Sequence, residues 1–190
     1  AQEGERSTSA ISQRLVYDTR DSIIDPTEGL VTRFETELAG LGGDARYLQN
    51  RLGANYFYPI KDQWILSFLG ETGYVFGYGG EDVEINERFY LGGSTLRGFE
   101  RSGVGPRDTA TGDSLGGNAF YRGSMELGLP SGLPEDLGVR AHLFTDFGSL
   151  FEVDDNGPTV EDEHSVRLSV GGGISWRSPL GPIRVDLATP

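Results

Sequence analysis

Apolar and polar residues alternate along most of this chain with a period of two, which is typical of β-strands that have one apolar and one polar face. The clearest example runs from Gln63 to Tyr78 and reads QWILSFLGETGYVFGY. One parity of this segment is apolar with aromatic residues towards both ends, whereas the other is mixed, small and polar. The segment is long for a strand of a soluble protein, but its length suits a tilted membrane strand that extends beyond the bilayer.

The same alternation recurs in other segments and predicts about eight strands. The further segments are a weaker one near 11–18 and those at 30–38, 46–58, 119–129, 139–150, 166–177 and 182–188. We expect the apolar parity to face lipid and the polar parity, which includes Glu126 and Asp146, to face inwards. Asn50 is an exception, because it falls on the apolar side of its strand.

The connections between the predicted strands alternate between short and long. PIKD, PSGLPED and SPLGP are short and rich in proline and glycine, as hairpin turns are. The longer connections are the loop at about 79–118 and the acidic stretch VDDNGPTVEDEH. Short turns at one end and long loops at the other favour an outer-membrane β-barrel. A soluble sandwich would alternate too, but with shorter strands and a solvent-facing polar surface.

Composition and charge narrow the class of protein further. Glycine accounts for 29 of 190 residues and aromatic residues for 11%, a mixture typical of many-stranded β proteins. A formal net charge of −13 disfavours nucleic acid as a partner, because phosphates would be repelled. The chain has no cysteine, which excludes a disulfide framework and a thiolate metal site within it. No apolar run is long enough for a transmembrane helix, and AQEGERSTSA lacks the apolar region of a signal peptide.

The end of the chain bears on the size of the barrel. The sequence stops at DLATP, just after a predicted strand. Eight strands can close a small barrel, but the long loop and the inward charges require a wider lumen. We therefore expect part of a larger barrel.

No pattern for catalysis or cofactor binding stands out. The chain lacks G-x-S-x-G, a cysteine nucleophile and a P-loop, so we predict neither an enzyme nor a cofactor. The stretch EVDDNGPTVEDE (152–163) partly matches a calcium loop, but it begins with glutamate and lies between strands. The two histidines have no spacing for zinc, so we predict no metal site.

The glycine-rich stretch RFYLGGSTLRGFERSGVG, from Arg88 to Gly105, carries the most specific motif. It resembles the large loop of the BamA family of outer-membrane protein assembly factors and their relatives. The shared signature is an aromatic and glycine-glycine lead-in followed by Val/Leu-Arg-Gly-Phe/Tyr. GGNAFYRGSMELGLP, LFTDFGSLF and GGGISWRSPLGPIRVDLATP resemble the last strands of that family in order and spacing. The resemblance covers the chain from about Arg14 onwards; LRGF alone would be weak.

The resemblance implies an all-β fold, an antiparallel transmembrane barrel of sixteen strands preceded by periplasmic repeat domains. Residues 1–190 would be a partial barrel domain, the C-terminal part with about eight strands. They would lack the periplasmic domains, the first strands and the final strand, and the loop at about 79–118 would fold inwards.

The resemblance also assigns site residues. In the family the motif arginine of the inward loop pairs with acidic residues on the barrel wall. The matching loop residues are Leu96, Arg97, Gly98 and Phe99 of the tether motif, with Gly92 and Gly93 before them; the wall acids are Glu126 and Asp146. An arginine that bridges two carboxylates could hold a long loop. The alternative is an exposed arginine and two acids that only solvate the lumen.

The function implied by the resemblance is that of an insertase, which folds and inserts other β-barrel proteins into the bacterial outer membrane. The implied partners are outer-membrane lipid, unfolded β-barrel clients, periplasmic chaperones and assembly lipoproteins. An alternative is a polypeptide-transport pore of the same superfamily, as in two-partner secretion or TamA-like translocation. A porin with a constriction loop is a third reading, but it gives no reason for four ordered motifs.

Overall fold

The computed structural model of the protein describes residues 7–134, 137–154, 157–179 and 181–190. Within these residues the long strands form one antiparallel sheet of eight, in which each strand pairs with the next long strand along the chain. The same residues contain no α-helix, and therefore no helical segment that could cross a membrane. The prediction of an all-β, antiparallel fold is confirmed.

The strands follow the alternating segments. In chain order the long strands are β1 Ala10–Asp18, β2 Gly29–Ala39, β3 Tyr47–Lys61, β4 Trp64–Gly77, β6 Ala119–Pro130, β7 Val139–Phe151, β9 Arg167–Ser178 and β10 Gly181–Thr189. Two short strands, β5 Arg107–Asp108 and β8 Val160–Glu161, were not predicted; they pair with each other and join the two longest loops. A strand of two residues is too short to show alternation, which is why the sequence did not reveal them.

The outward face of the sheet is apolar and exposed. In β4, Trp64, Phe68, Tyr74 and Phe76 are between 38% and 42% exposed, whereas Val75 on the other face is fully buried. Leu143 and Phe147 in β7 follow the same rule, at 55% and 42% exposed. A continuous apolar surface of this kind is stable against lipid and unfavourable in water.

The hydrophobic core lies on the inner face, between the sheet and the loop that connects β4 to β6 (residues 78–118). The cluster combines loop residues with residues of the strands that face them. Its loop members are Val83, Phe89, Leu91, Leu96 and Val104, and its strand members include Val75, Phe120 and Leu150. Because these apolar loop side chains are buried against the inner wall, the part of the loop that carries them lies along that wall.

The connection between β1 and β2 (residues 19–28) reaches the far side of the sheet. Asp25 accepts a hydrogen bond from Arg140 of β7 at 3.0 Å, and its other oxygen lies 3.4 Å from Arg177 Nη1 of β9. Since β3, β4 and β6 lie between β2 and β7, the sheet must curl for this contact to form. We call Asp25, Arg140 and Arg177 the mouth latch, because they lie at the short-turn end of the sheet.

Candidate functional site: an arginine held on the inner wall

The loop forms a compact tip. Leu91 and Val104 form an isolated antiparallel bridge, in which the Val104 N–H donates to the Leu91 carbonyl oxygen at 3.2 Å. This bridge closes residues 91–104, which we call the loop tip. Gly92 and Gly93 begin it with φ values of 130° and 60°, a region that favours glycine. A Cβ on Gly92 would also collide with the carbonyl oxygen of Glu100. The double glycine is therefore required by the turn itself.

The guanidinium of Arg97 lies at the centre of the site. Asp146 on β7 accepts hydrogen bonds from Arg97 Nε at 2.7 Å and from Nη2 at 2.6 Å, and a third from the backbone N–H at 3.2 Å. Glu126 on β6 accepts from Nη1 at 3.1 Å, and Ser124 on the same strand accepts from Nη2 at 3.0 Å. Asp186 on β10 accepts from Nη1 at 3.4 Å. The fork geometry of arginine matches this arrangement, since a lysine could not serve all these acceptors at once.

Phe144 forms the platform beneath the guanidinium. The Cζ atom of Arg97 lies 3.3 Å from the centroid of the Phe144 ring, which is itself 5% exposed. Phe144 shares the inner face of β7 with Asp146, two residues further along the strand. Stacking on an aromatic face adds to the attraction of the carboxylates and fixes the plane of the guanidinium.

The site is largely shielded from water. The Arg97 side chain is 16% exposed, and the side chains of Asp146 and Glu126 are 6% and 22% exposed. Burial alone would lower the pKa of Arg97, but the hydrogen bonds to Asp146 and Glu126 outweigh it and raise that pKa further. Arg97 therefore stays charged, and the carboxylates of Asp146 and Glu126 balance its charge in a place that water reaches poorly.

The other residues of the motif pack the loop tip in place. Leu96 is fully buried in the core cluster, and Phe99 packs against that cluster while partly buried. Gly98 has a φ of 90°, and a Cβ there would lie 3.0 Å from Ser169 Cβ on β9. Glycine at this position allows the loop backbone to approach the wall.

A second arginine, which the sequence did not single out, links the acids of the site. Arg184 on β10 donates to Glu126 through Nη1 at 3.1 Å and Nη2 at 2.6 Å. It also donates from Nε to Asp186 at 2.9 Å, and His142 Nε2 lies 2.5 Å from the other oxygen of Asp186. Because β7 and β9 separate β6 from β10, Arg184 spans two intervening strands.

Sequence reasoning therefore named part of the site. The structure brings Arg97 together with Glu126 and Asp146, and adds Asp186, Arg184 and Phe144, which were not named. Arg184 and Asp186 fall on the polar parity of the predicted segment 182–188, but alternation does not tell which strands a loop approaches.

A separate contact holds the neighbouring part of the loop tip. Arg122 on β6 donates from Nη1 to the carbonyl oxygen of Thr95 at 2.8 Å, and from Nε to Glu71 on β4 at 2.7 Å. Glu71 is directly opposite Arg122 in the β4–β6 ladder. This contact orients Arg122 towards the loop, so that the wall binds the backbone beside Leu96 as well as the guanidinium of Arg97.

A cavity of about 520 Å³ adjoins the site, and its lining includes both polar residues, such as Asn55 and Arg122, and the apolar residues Phe57 and Leu69. Within the described ranges, no group of three or more acidic or histidine side chains could hold a metal ion. Residues 155 and 156 of the stretch considered for calcium lie outside the described residues. The hydrogen bonds that the wall strands make with Arg97 support mechanical anchoring of the loop.

Comparison with known proteins places this geometry in context. Residues 1–190 match the family model of the Omp85 superfamily domain. The chain is 40% identical over 186 residues to the outer membrane protein assembly factor BamA of Neorickettsia risticii (strain Illinois), covering 97% of this chain and 25% of that protein. It is 33% identical over 198 residues to the sorting and assembly machinery component 50 homolog of Homo sapiens, covering 97% of this chain and 41% of that protein.

The fold also resembles a solved structure. The crystal structure of BamA from Haemophilus ducreyi lacking POTRA domains 1-3 matches with a TM-score of 0.83 and 26% sequence identity. The match covers 95% of this chain and 38% of that one. The chain spans a quarter of the length of the Neorickettsia relative, 25%.

Proposed function

Because the chain belongs to the Omp85 superfamily, we propose that the full protein is an outer-membrane β-barrel assembly factor. It is an insertase that folds other β-barrel proteins and inserts them into the membrane. Its location is the bacterial outer membrane. Residues 1–190 would form the C-terminal part of a larger barrel, and other parts of the protein would supply the periplasmic repeat domains, the first strands and the final strand.

The observation that carries this proposal is the loop tip held inside the wall by Arg97. Its guanidinium contacts Glu126, Asp146 and Asp186, which come from three different strands. Such a contact fixes a long loop whose ordering costs much conformational entropy. In the proposed function, this half of the barrel is the rigid wall that carries the ordered loop, while client strands are recruited elsewhere by edge pairing.

The proposed activity requires no catalytic residue, metal or cofactor. Folding of a client into the membrane is driven by burial of its apolar face in lipid and by completion of its strand pairing. The partners of the full protein would be outer-membrane lipid, unfolded β-barrel clients, periplasmic chaperones and assembly lipoproteins. The exposed apolar face of this sheet, with Leu143, Phe147 and Ile174, supports contact with lipid.

Reconstitution of the full-length protein in liposomes tests the proposal. An unfolded outer-membrane β-barrel client is added outside, and its conversion to the heat-modifiable folded form is followed by gel mobility. We expect the wild-type protein to accelerate the conversion and the Arg97→Ala variant to lose most of that effect. A large steady conductance with passage of an unfolded polypeptide, and no acceleration of client folding, would contradict the insertase and favour a transport pore.

A further inference from the structure

We infer that Asp186 is a positioning residue that joins the loop tip to β10, so that the loop anchors this strand as well as β6 and β7. This inference rests on the proposed function, in which β10 precedes the strand that closes the barrel. The loop tip would then set the position of the wall beside the closing strand. The observations that carry the inference come from the loop, from β10 and from β9.

The loop tip touches β10 at two adjacent residues. Arg97 donates from Nη1 to Asp186 at 3.4 Å. A Cβ on the next loop residue, Gly98, would lie 3.4 Å from the Cβ of Ala188 and 3.4 Å from the backbone nitrogen of Pro190. Asp186 and Ala188 lie two residues apart on the inner face of β10. An ionic contact and a close approach of the loop backbone therefore fall on one stretch of this strand.

The strand between β7 and β10 is shaped to let this contact form. Gly171 and Gly173 face inwards in the middle of β9, which pairs with β7 on one side and β10 on the other. A Cβ on Gly173 would meet Asp186 and would lie 2.7 Å from His142 Nε2, and a Cβ on Gly171 would lie 2.5 Å from Phe144. Side chains at these two positions would occupy the path between β10 and Arg97. The two glycines therefore leave space on the inner face of β9 through which Arg97 and Asp186 can approach each other.

Two further side chains, Arg184 and His142, contact Asp186. Arg184 donates to Asp186 at 2.9 Å and to Glu126 at 2.6 Å, so it connects β10 to the acid that also binds Arg97. His142 lies 2.5 Å from the remaining oxygen and is 4% exposed. Asp186 is thus held by three groups from β7, β10 and the loop tip, as expected of a residue that fixes the position of a strand.

Thiol labelling in the full-length protein tests the inference. Because this chain has no cysteine, Ala188→Cys provides a single reporter once any cysteine outside these residues has been replaced. Ala188 is partly buried beneath Gly98 of the loop tip, so a charged, water-soluble maleimide should label a cysteine there slowly while the loop tip contacts β10 and faster once the two separate. Protection of the loop from an added protease is measured in parallel, and gel heat-modifiability reports whether each variant is folded.

We expect Asp186→Asn to accelerate labelling of the reporter roughly tenfold, the loss typical of one hydrogen bond to a charged group. The loop stays protected from protease in this variant, because the two side-chain bonds from Arg97 to Asp146 remain. Arg97→Ala should raise both labelling and proteolysis. Glu35→Gln is the matched control: Glu35 is an acid of β2 that pairs with Arg14, away from the loop, and should change neither readout.

Labelling of the Asp186→Asn variant at the parent rate would overturn the inference. An increase in proteolysis of the loop as large as the increase in labelling of residue 188 would also overturn it. If this variant does not fold, Arg97→Lys provides the same test from the loop side. A lysine keeps one strong ionic contact but not several, so labelling should rise while protease protection persists. Neither labelling nor proteolysis depends on client assembly. A normal rate of client folding with Arg97→Ala in the liposome assay would count against the proposed function, and the labelling result alone would still decide this inference.

Discussion

The contacts of Arg97 at the loop tip and those of the mouth latch are both ion clusters that join distant parts of the chain, but they are built in opposite ways. At the loop tip one arginine contacts three carboxylates and its side chain is 16% exposed. At the mouth latch one carboxylate, 32% exposed, contacts two arginines that are 32% and 59% exposed. The cluster at the loop tip also has an aromatic ring beneath the charge, because Arg97 Cζ lies 3.3 Å from the centroid of the Phe144 ring.

The difference in burial indicates which of the two clusters contributes more to stability. Exposed ion pairs contribute little because water and salt screen them, whereas breaking a buried pair leaves an uncompensated charge. The loop tip should therefore respond strongly to loss of a single partner and the mouth latch weakly. The variants below test this difference, from the largest expected effect to the smallest.

Arg97→Ala should have the largest effect. It leaves Asp146, Glu126 and Asp186 close together with one arginine, Arg184, still in contact with two of them. We expect the loop tip to lose about 3–5 kcal/mol of anchoring free energy. Protease digestion of the loop in the folded full-length protein measures this loss, because cleavage follows the population of the open loop.

Asp146→Asn should have an intermediate effect. The substitution keeps the shape of the side chain but removes the charge that accepts two side-chain bonds from Arg97. We expect a loss of about 1.5–3 kcal/mol, because Glu126 and Asp186 still balance the guanidinium. Ser124→Ala is the control for a neutral partner and should cost about 1 kcal/mol in the same assay. Equal losses for the two variants would indicate that charge does not dominate the site.

Asp25→Asn at the mouth latch should have a small effect. Asp25 pairs with Arg140 and Arg177, and all of these side chains are partly exposed. We expect about 0–1 kcal/mol of lost stability, decreasing further at high salt. Chemical unfolding of the full-length protein in detergent measures it, with Arg140→Gln as the matched variant from the opposite side. A loss of stability above about 2 kcal/mol would show that the mouth latch behaves like a buried ion pair, and would contradict the difference drawn between the two clusters.

The most local effect concerns the turn that carries Asp25. Asp21 accepts hydrogen bonds from Thr27 Oγ1 at 2.6 Å and from the Thr27 and Glu28 backbones at 2.8 Å and 3.2 Å. These bonds lower the pKa of Asp21 to about 2. Since this folded pKa lies below the ordinary value of about 3.9, the ionised group stabilises the turn above about pH 4 and loses that contribution as pH falls towards 2.

A titration of Asp21 by NMR tests this last expectation. The carboxylate should titrate near pH 2 in the wild-type protein, and Thr27→Ala should shift its pKa upwards because the side-chain hydrogen bond is lost. A pKa near 4 in both proteins would show that the turn is not held by Asp21.

The fold was largely predictable because each long strand separates lipid from a polar interior. In β4 this produces a clear alternation, with Phe68 and Phe76 exposed and Val75 buried. The alternation gave the eight long strands and the inner positions of Glu126 and Asp146. It could not give β5 and β8, because pairs of two residues carry no period.

The site was only partly predictable, for two physical reasons. Curvature of the sheet brings Arg184 of β10 to Glu126 of β6, and no local pattern encodes a contact across two strands. Phe144 interrupts the alternation, since it is an aromatic residue on the polar face. Its role depends on the guanidinium above it, which arrives from a distant loop. The motif identified Arg97, whereas the complete set of its partners required coordinates.

The double-mutant cycle of Arg97→Ala and Asp146→Ala tests the central claim most directly. The free energy of loop opening is measured by proteolysis in the wild-type protein, both single variants and the double variant. We predict strong coupling, in which the double variant opens hardly more than Arg97→Ala alone, because both substitutions break the same contact. Additive losses would show that the two residues act independently, and would contradict an anchor formed by this pair.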